Sequence, residues 1–581
     1  MILQALTHYY EDLLDQGAIA RPGWSQIKVS FGLVLDDSGN PVQLLHLQQE
    51  VPRGKKTILV PQELSLPAQV KRSVDISANF LCDNSSYLLG VDRKGKPERS
   101  LRCFEAAKAL HQRLLLNTDS PAARAILQFF EQWTPAQVSA CPALQQDWED
   151  LMKGGNLTFW YEGAPAIEDP AICAAWQSYY DQGPAEDAED ILCLVSGRHG
   201  PLARLHPSIK GVVGAQSSGA SLVSFNAPAF CSYEHEQGAN APTSEYAAFA
   251  YSTALNTLLA DQNHVCRVGD TTILFWAEGG SSAYQDCAVF SLFGAPGQNA
   301  LYQEKDLLNA LHQLAEGKPI DWDGSRLDPE IHFYVLGLAP NAARLSVRFF
   351  WQNNFGKLAE NVAHHYDRLE IVRPNNEAAS ILSVWRMVME TVRDTKRSDP
   401  SPRLAGDLLL SILNNAPYPA TLLEGIELRI RAEQNINWAK ASILKAWYQR
   451  NSHDEKIKEV MTMELNEQST YLPYVLGRLF SVLEYVQKRT SPNITSTIKN
   501  RYFNSASATP SMVFPTLINL AQKHLNKLEP GLAAYFDKQI TDLCSRITST
   551  LPTRMSLAEQ SAFQIGYYHE TQKRYTKKEE K

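Results

Sequence analysis

Strand-forming runs end near residue 376 of this 581-residue chain, and the remaining third reads as helix. Sheets must therefore come from the first two thirds, while the last third must build its core by packing helix on helix. The expected fold class is α+β: a mixed α/β N-terminal body followed by an all-helical C-terminal bundle. The expected divisions are a body over 1–375, a helical connector over 376–460 and a bundle over 461–581.

Within the body, Val29–Leu35 and Val42–Leu47 flank the turn Asp36-Asp37-Ser38-Gly39-Asn40, a hairpin signal. Asn79–Cys82 and Tyr87–Val91 read as a second strand pair around Asp83–Ser86. Residues 101–152 read as helical, with Phe104, Ala107, Leu110 and Leu114 on one stripe. Strands are expected at 158–161, 191–195, 222–225 and 272–276, with a helix over 244–259. Residues 331–372 read as β-β-α-β. At the N-terminus, Leu3, Leu6, Tyr10 and Leu13 form an amphipathic helical stripe rather than a signal peptide. No apolar run is long enough to span a bilayer.

The formal net charge of −8 excludes a uniformly basic polyanion binder but leaves room for local patches. From residue 461 onward there are 15 Lys and Arg against 10 Asp and Glu, a balance of +5, which leaves −13 on the first 460 residues. A cationic helical module on an acidic body fits contact with a polyanion; a solvated helix surface is the alternative. Nine cysteines, an odd number with no C-x-x-C pair, argue against a zinc ribbon or a disulfide framework, so a cytoplasmic protein with reduced thiols is expected.

Hydrolytic and metal chemistry find little support. Ala215-Gln216-Ser217-Ser218-Gly219 resembles a nucleophile elbow, which would make Ser217 an esterase-like nucleophile. An elbow requires a helix after the turn, whereas Ala220–Phe225 reads as a strand; a polar binding loop or a structural turn fits better. His364, His365 and Asp367 do not make a metal site, because adjacent helical residues point about 100° apart. No metal and no cofactor is expected.

Nucleic-acid features are more numerous. Lys71, Arg72, Arg93, Lys94 and Lys96 cluster around Asn84, and Lys210 precedes the glycine-rich stretch. Arg344, Ser346 and Arg348 alternate with Leu345, Val347 and Phe349, as one cationic face of a strand would. In the bundle, Arg478 is a further cation, and Lys499, Arg501, Tyr502 and Phe503 mix phosphate-binding and base-stacking types. Gln216, Ser217, Ser218, Gly219, Asn226, Gln237 and Asn240 offer the neutral donors, acceptors and close approach that suit base edges. Ordinary surface charge and loop-bracing amides are the alternatives.

Five blocks in order along the chain carry a more specific signal: MILQALTHYYEDL at the N-terminus, NFLCDNSSYLLGVD at 79–92, the long run from HPSIKGVVGAQSSGASLVSF to STALNTLL at 206–259, GDTTILFWAE at 269–278 and YVLGRLFSVLE at 474–484. With these the chain resembles the large subunit of the type I-C CRISPR interference complex, Cascade. The resemblance implies a non-catalytic protein that recognises a protospacer-adjacent motif in double-stranded target DNA, promotes duplex opening and R-loop formation, and holds the displaced strand. It implies as partners the CRISPR RNA, the backbone subunits, the subunit that binds the guide 5′ end, small subunits and a helicase-nuclease. It also implies that the small subunit is made by internal translation, for which Met461 and Met463 stand at the right place. The remaining alternatives are the Ser217 hydrolase and a scaffold without nucleic-acid contact.

Overall fold

A computed structural model describes residues 1–53, 56–70, 76–91, 96–145, 147–152, 155–181, 190–294, 304–374, 381–393 and 400–575. It divides into two compact units, one formed by Leu3–Pro207 with Ser224–Ala254 and the other by Ser208–Val223 with Leu255–Lys581.

The first unit begins with α1 (Ile2–Asp15), whose Leu6 and Tyr10 are fully buried. Strands β1 (Trp24–Val29), β4 (Gln48–Arg53) and β5 (Lys56–Pro67) form an antiparallel sheet in the order β1-β5-β4. A second sheet runs β3 (Pro41–His46), β2 (Phe31–Leu35), β7 (Leu157–Tyr161), β6 (Cys82–Asp83). Its β2–β3 pair is the expected hairpin, and Asp36 fastens the turn by accepting from the Ser38 and Asn40 amides. β7 lies parallel to β2, with α2 (Ser85–Leu88), α3 (Pro97–Leu115) and α4 (Pro121–Gln132) in the intervening chain, so a long helical crossover is required. Phe80, Phe129, Phe130 and Phe159 meet around His111 in the core.

The expected strand at Tyr87–Val91 does not form: Tyr87 and Leu88 end α2, and the chain turns at Leu89 and Gly90. Asn84 accepts from the Ser86 amide and caps α2, while buried Asp83 accepts from the Asn79 and Asn84 amides. Once a side chain satisfies these donors, the local hydrogen bonding favours a helical turn over a ladder. The expected strand at Leu222–Phe225 is also absent. Ala220 and Ser221 make only isolated bridges, to Ile209 and Arg344, and no neighbouring strand extends them.

In the second unit β11 (Val265–Val268), β12 (Thr271–Ala277), β15 (His332–Asn341) and β16 (Arg344–Asn354) form an antiparallel sheet in sequence order. Ile273, Phe275, Phe333 and Phe349 of this sheet share a core with α9 (Ser282–Phe293), α10 (Glu304–Ala315) and α11 (Phe355–Leu369). A bulge lies opposite Gly337 and Leu338, which pair with Phe349 and Val347. It interrupts the alternation expected over 344–349: Val347 is exposed, and Arg348 turns to Asp270 with a 2.8 Å ion pair. After α11 the expected last strand is missing, because Val372 donates a single bond to the Met463 carbonyl and no ladder extends it.

From residue 381 the described chain is helical, with α14 (Ala420–Glu433), α15 (Trp438–Asn451), α17 (Leu472–Thr490), α18 (Ile498–Ala508), α19 (Pro510–Leu525), α20 (Pro530–Cys544) and α21 (Leu557–Gln572) as its main members. The core under these helices is continuous with the core under the sheet. α17 and α21 cross at Gly477 and Gly566. A Cβ on the first would overlap the Phe563 carbonyl, and one on the second would overlap the Tyr474 carbonyl.

Candidate nucleic-acid interface

Ile209 and Ala220 exchange both backbone hydrogen bonds, at 2.9 and 2.8 Å, and so close a loop over the residues between them. Asn256, near the end of the helix Glu245–Ala260, fixes the neck. Its Oδ1 accepts from the Lys210 amide at 2.8 Å, and its Nδ2 donates to the Ser208 carbonyl at 3.2 Å. Gly211 and Gly214 take positive φ against Leu259 and Pro340, Val212 is buried, and the Val213 amide donates to Thr272 Oγ1. Beyond these anchors the tip is a turn in which the Gly219 amide donates to the Gln216 carbonyl at 2.9 Å. Gly219 has φ +101°, and a Cβ there would stand 2.8 Å from the Ser208 Cβ, so glycine is required.

The side chains of Gln216, Ser217 and Ser218 are exposed at this tip. Ser221 donates to the Ala343 carbonyl and accepts from the Leu345 amide, which seats Arg344 beside the loop. Thus the exposed Gln216–Ser218 tip has exposed Lys210 at its neck and, through the Ser221 bridge, the backbone of Arg344 beside it. Among the described residues neither a histidine nor a carboxylate is hydrogen-bonded to Ser217, and no helix starts at Gly219. The features that would activate a serine are not assembled there.

Gln237 and Asn240 belong to the other unit, and their amides hold the chain that carries them. Asn240 accepts from the Ser232 amide at 2.8 Å and donates to the His235 and Gln237 carbonyls at 3.0 Å each. Gln237 accepts from Arg204 Nε, and the Gly238 amide donates to the Arg204 carbonyl. This brace holds Tyr233, Glu234 and Gln237 at positive φ and leaves Tyr233 94% exposed. Tyr233 was not legible in the sequence, because nothing in Ser-Tyr-Glu-His-Glu announces a left-handed tyrosine. Asn226 is exposed.

The other cations differ in availability. Lys71, Arg72, Arg93 and Lys94 lie outside the described residues. Lys96 is exposed at the N-cap of α3. Arg478 is buried in the bundle, 3.0 Å from Glu570, and also donates to the Asn466 and Glu467 carbonyls. A phosphate could reach it only by breaking that pair, so its guanidinium has a structural use instead. Lys499 donates to Asn435 Oδ1 and lies over the Tyr567 ring; burial lowers its pKa, against the pull of Glu484. Phe503, expected as a stacking residue, is a core residue packed on Phe480, Phe563 and Tyr567. Arg501 is exposed, as are Arg489, Lys523 and Lys527. The Thr490 hydroxyl donates to the His524 carbonyl and brings the last three to adjoining helix ends.

These surfaces, on a body of sheets continued by helices, suit a protein that works inside a nucleic-acid assembly, and comparison with known families gives the class: CRISPR-associated proteins. The family model that matches is that of the CRISPR-associated protein Csd1, over residues 6–575. The chain belongs to the Csd1 family, the large subunits of type I-C interference complexes. Membership gives it a part in CRISPR defence within a complex that holds CRISPR RNA and other subunits. No curated protein matches the chain.

Proposed function

We propose that this large subunit is a non-catalytic, cytoplasmic reader of duplex DNA. It recognises the protospacer-adjacent motif, promotes opening of the target and R-loop formation, stabilises the displaced strand and recruits the helicase-nuclease. It does so beside the backbone subunits, the subunit on the guide 5′ end and the small subunits. The observation that carries this reading is the loop closed by Ile209 and Ala220. Its exposed amide and hydroxyls lie on a loop with the exposed Lys210 at its neck, a combination suited to holding a phosphate and querying a base edge together. In RNA-guided recognition, protein reads the short motif and base pairing reads the rest.

Asn84, Asn226, Gln237 and Asn240 support this function by shaping the first unit. Lys96, Arg348, Lys499 and Arg501, with Lys71, Arg72, Arg93 and Lys94, contribute backbone attraction. The region from Met461 or Met463 onward is proposed to be made separately as well, as a cationic small subunit.

The test is a gel shift of the assembled complex on motif-containing duplex and on the same sequence pre-opened as a bubble. Gln216→Ala with Ser218→Ala is expected to weaken duplex binding by roughly tenfold, one base-contact's worth, and bubble binding far less. Equal losses on both substrates would remove the loop from motif reading.

A further inference from the structure

Arg267 lies on β11 opposite Thr272 of β12 in the antiparallel register, about 5 Å away between Cα atoms. Its neighbours Cys266 and Val268 pack into the core under the sheet, so Arg267 is on the other face. Cross-strand partners share a face, and on this one the Val213 amide donates to Thr272 Oγ1. From that anchor the loop crosses the next strands in order: Gly214 packs on Pro340 of β15, and Ser221 bridges to Arg344 of β16. Arg267 therefore stands on the edge strand just outside the loop's anchor on the sheet.

The Arg267 side chain is exposed, and its Nε donates to the Gly269 carbonyl at 3.2 Å. This bond ties the guanidinium to the β11–β12 turn and leaves both terminal amino groups without a partner among the described residues. The carboxylates around β11 are already engaged. Asp270 is held by Arg348 at 2.8 Å and by the Thr271 hydroxyl at 3.0 Å, and Asp261, beyond the other end of β11, faces His264 at 3.4 Å. The loop itself, Ser208–Val223, contains no carboxylate. Its own cation, Lys210, runs along the tip, with Cγ 3.3 Å from where a Gly219 Cβ would stand.

We propose that Arg267 is a phosphate contact that sets the register of the duplex under the loop. Its free guanidinium edge holds one backbone phosphate while Gln216–Ser218 meet the base edges. The inference rests on the loop's role as reader and adds a residue from a different element that orients the DNA beneath it.

The test is the affinity of the assembled complex for motif-containing duplex, measured by gel shift over a range of salt concentrations. Arg267→Gln should weaken binding and make the plot of log affinity against log salt shallower by about one unit, the share of one phosphate contact. The ratio of binding between motif-containing and motif-scrambled duplex should not change, since a phosphate carries no sequence. Arg267→Lys should restore the slope. Arg326→Gln, at an exposed cation on the separate strand pair Ile320–Trp322 and Ser325–Leu327, should alter neither quantity. The proposal is overturned by an unchanged slope in Arg267→Gln, by a changed motif ratio in that variant, or by an equal loss in Arg326→Gln. The two failures separate: loss of the loop's role shows as an intact motif ratio in Gln216→Ala with Ser218→Ala, and loss of this inference as an intact slope in Arg267→Gln.

Discussion

Leu81 holds a left-handed backbone, φ +60°, because its amide donates to His111 Nε2 at 2.9 Å while His111 Nδ1 donates to the Ala107 carbonyl at 2.7 Å. Both ring nitrogens are satisfied in this way only if the ring is neutral, and burial lowers its pKa to about 4. The unfolded chain takes up this proton below the ordinary value of about 6.5, whereas the folded chain refuses it until about 4. His111 therefore draws stability down as pH falls from about 6.5 to about 4, by up to about 1.4 kcal/mol per pH unit. His111→Ala should cost roughly 3 kcal/mol at neutral pH, from a cavity and an orphaned Leu81 amide, and should flatten the pH dependence of denaturant unfolding in that window. An unchanged slope would show that the ring is already charged. At this scale the sequence misled most. Composition shows that Asn84, Gln237, Asn240 and Arg478 can bind something, but not that each already does, because a side chain's partner is fixed by residues distant in the chain.

At the scale of elements, the sequence was legible wherever one local rule decided the outcome. The hairpin around Asp36–Asn40 and the helix Glu245–Ala260 formed as periodicity and turn chemistry predict. The loop's glycines were legible as close-approach positions, though their neighbours were not. The run 87–91 failed because Asn84 and Asp83 cap a helical turn there, whereas 222–225 and 369–372 failed because β-rich composition becomes a strand only beside another strand, and pairing is non-local. The reciprocal contact of Gly477 and Gly566 was equally hidden. Gly566→Ala places a methyl against the Tyr474 carbonyl, backbone that cannot swing aside. It should destabilise the bundle by roughly 1–3 kcal/mol, seen as a lower melting temperature. Gly531, which has open space around it, is the control: Gly531→Ala should not lower melting.

For the molecule as a whole, the strand-poor final third was legible from residue 376 onward, but its ties to the helices before residue 461 were not. Glu427 of α14 is buried, accepts from Gln564 at 2.9 Å and from Ser561 of α21, and burial raises its pKa. Tyr448 of α15 also meets Ser561. A product starting at Met461 or Met463 would lack both partners. Replacing both methionines by leucine, with a C-terminal tag followed by blotting, should abolish a short product and leave the full chain folded; persistence of the short product would place its start elsewhere.

The loop closed by Ile209 and Ala220 divides its residues into two groups under different selection. Residues up to Gly214 are committed to the helix and sheet beneath them, and Gly219 to its own turn. Only Ala215 to Ser218 are free to vary without disturbing the fold. If the loop reads flanking DNA as proposed, relatives that read different flanking DNA should diverge at these four positions while retaining the glycines on either side. Swapping four residues between such relatives should transfer preference without re-engineering the body.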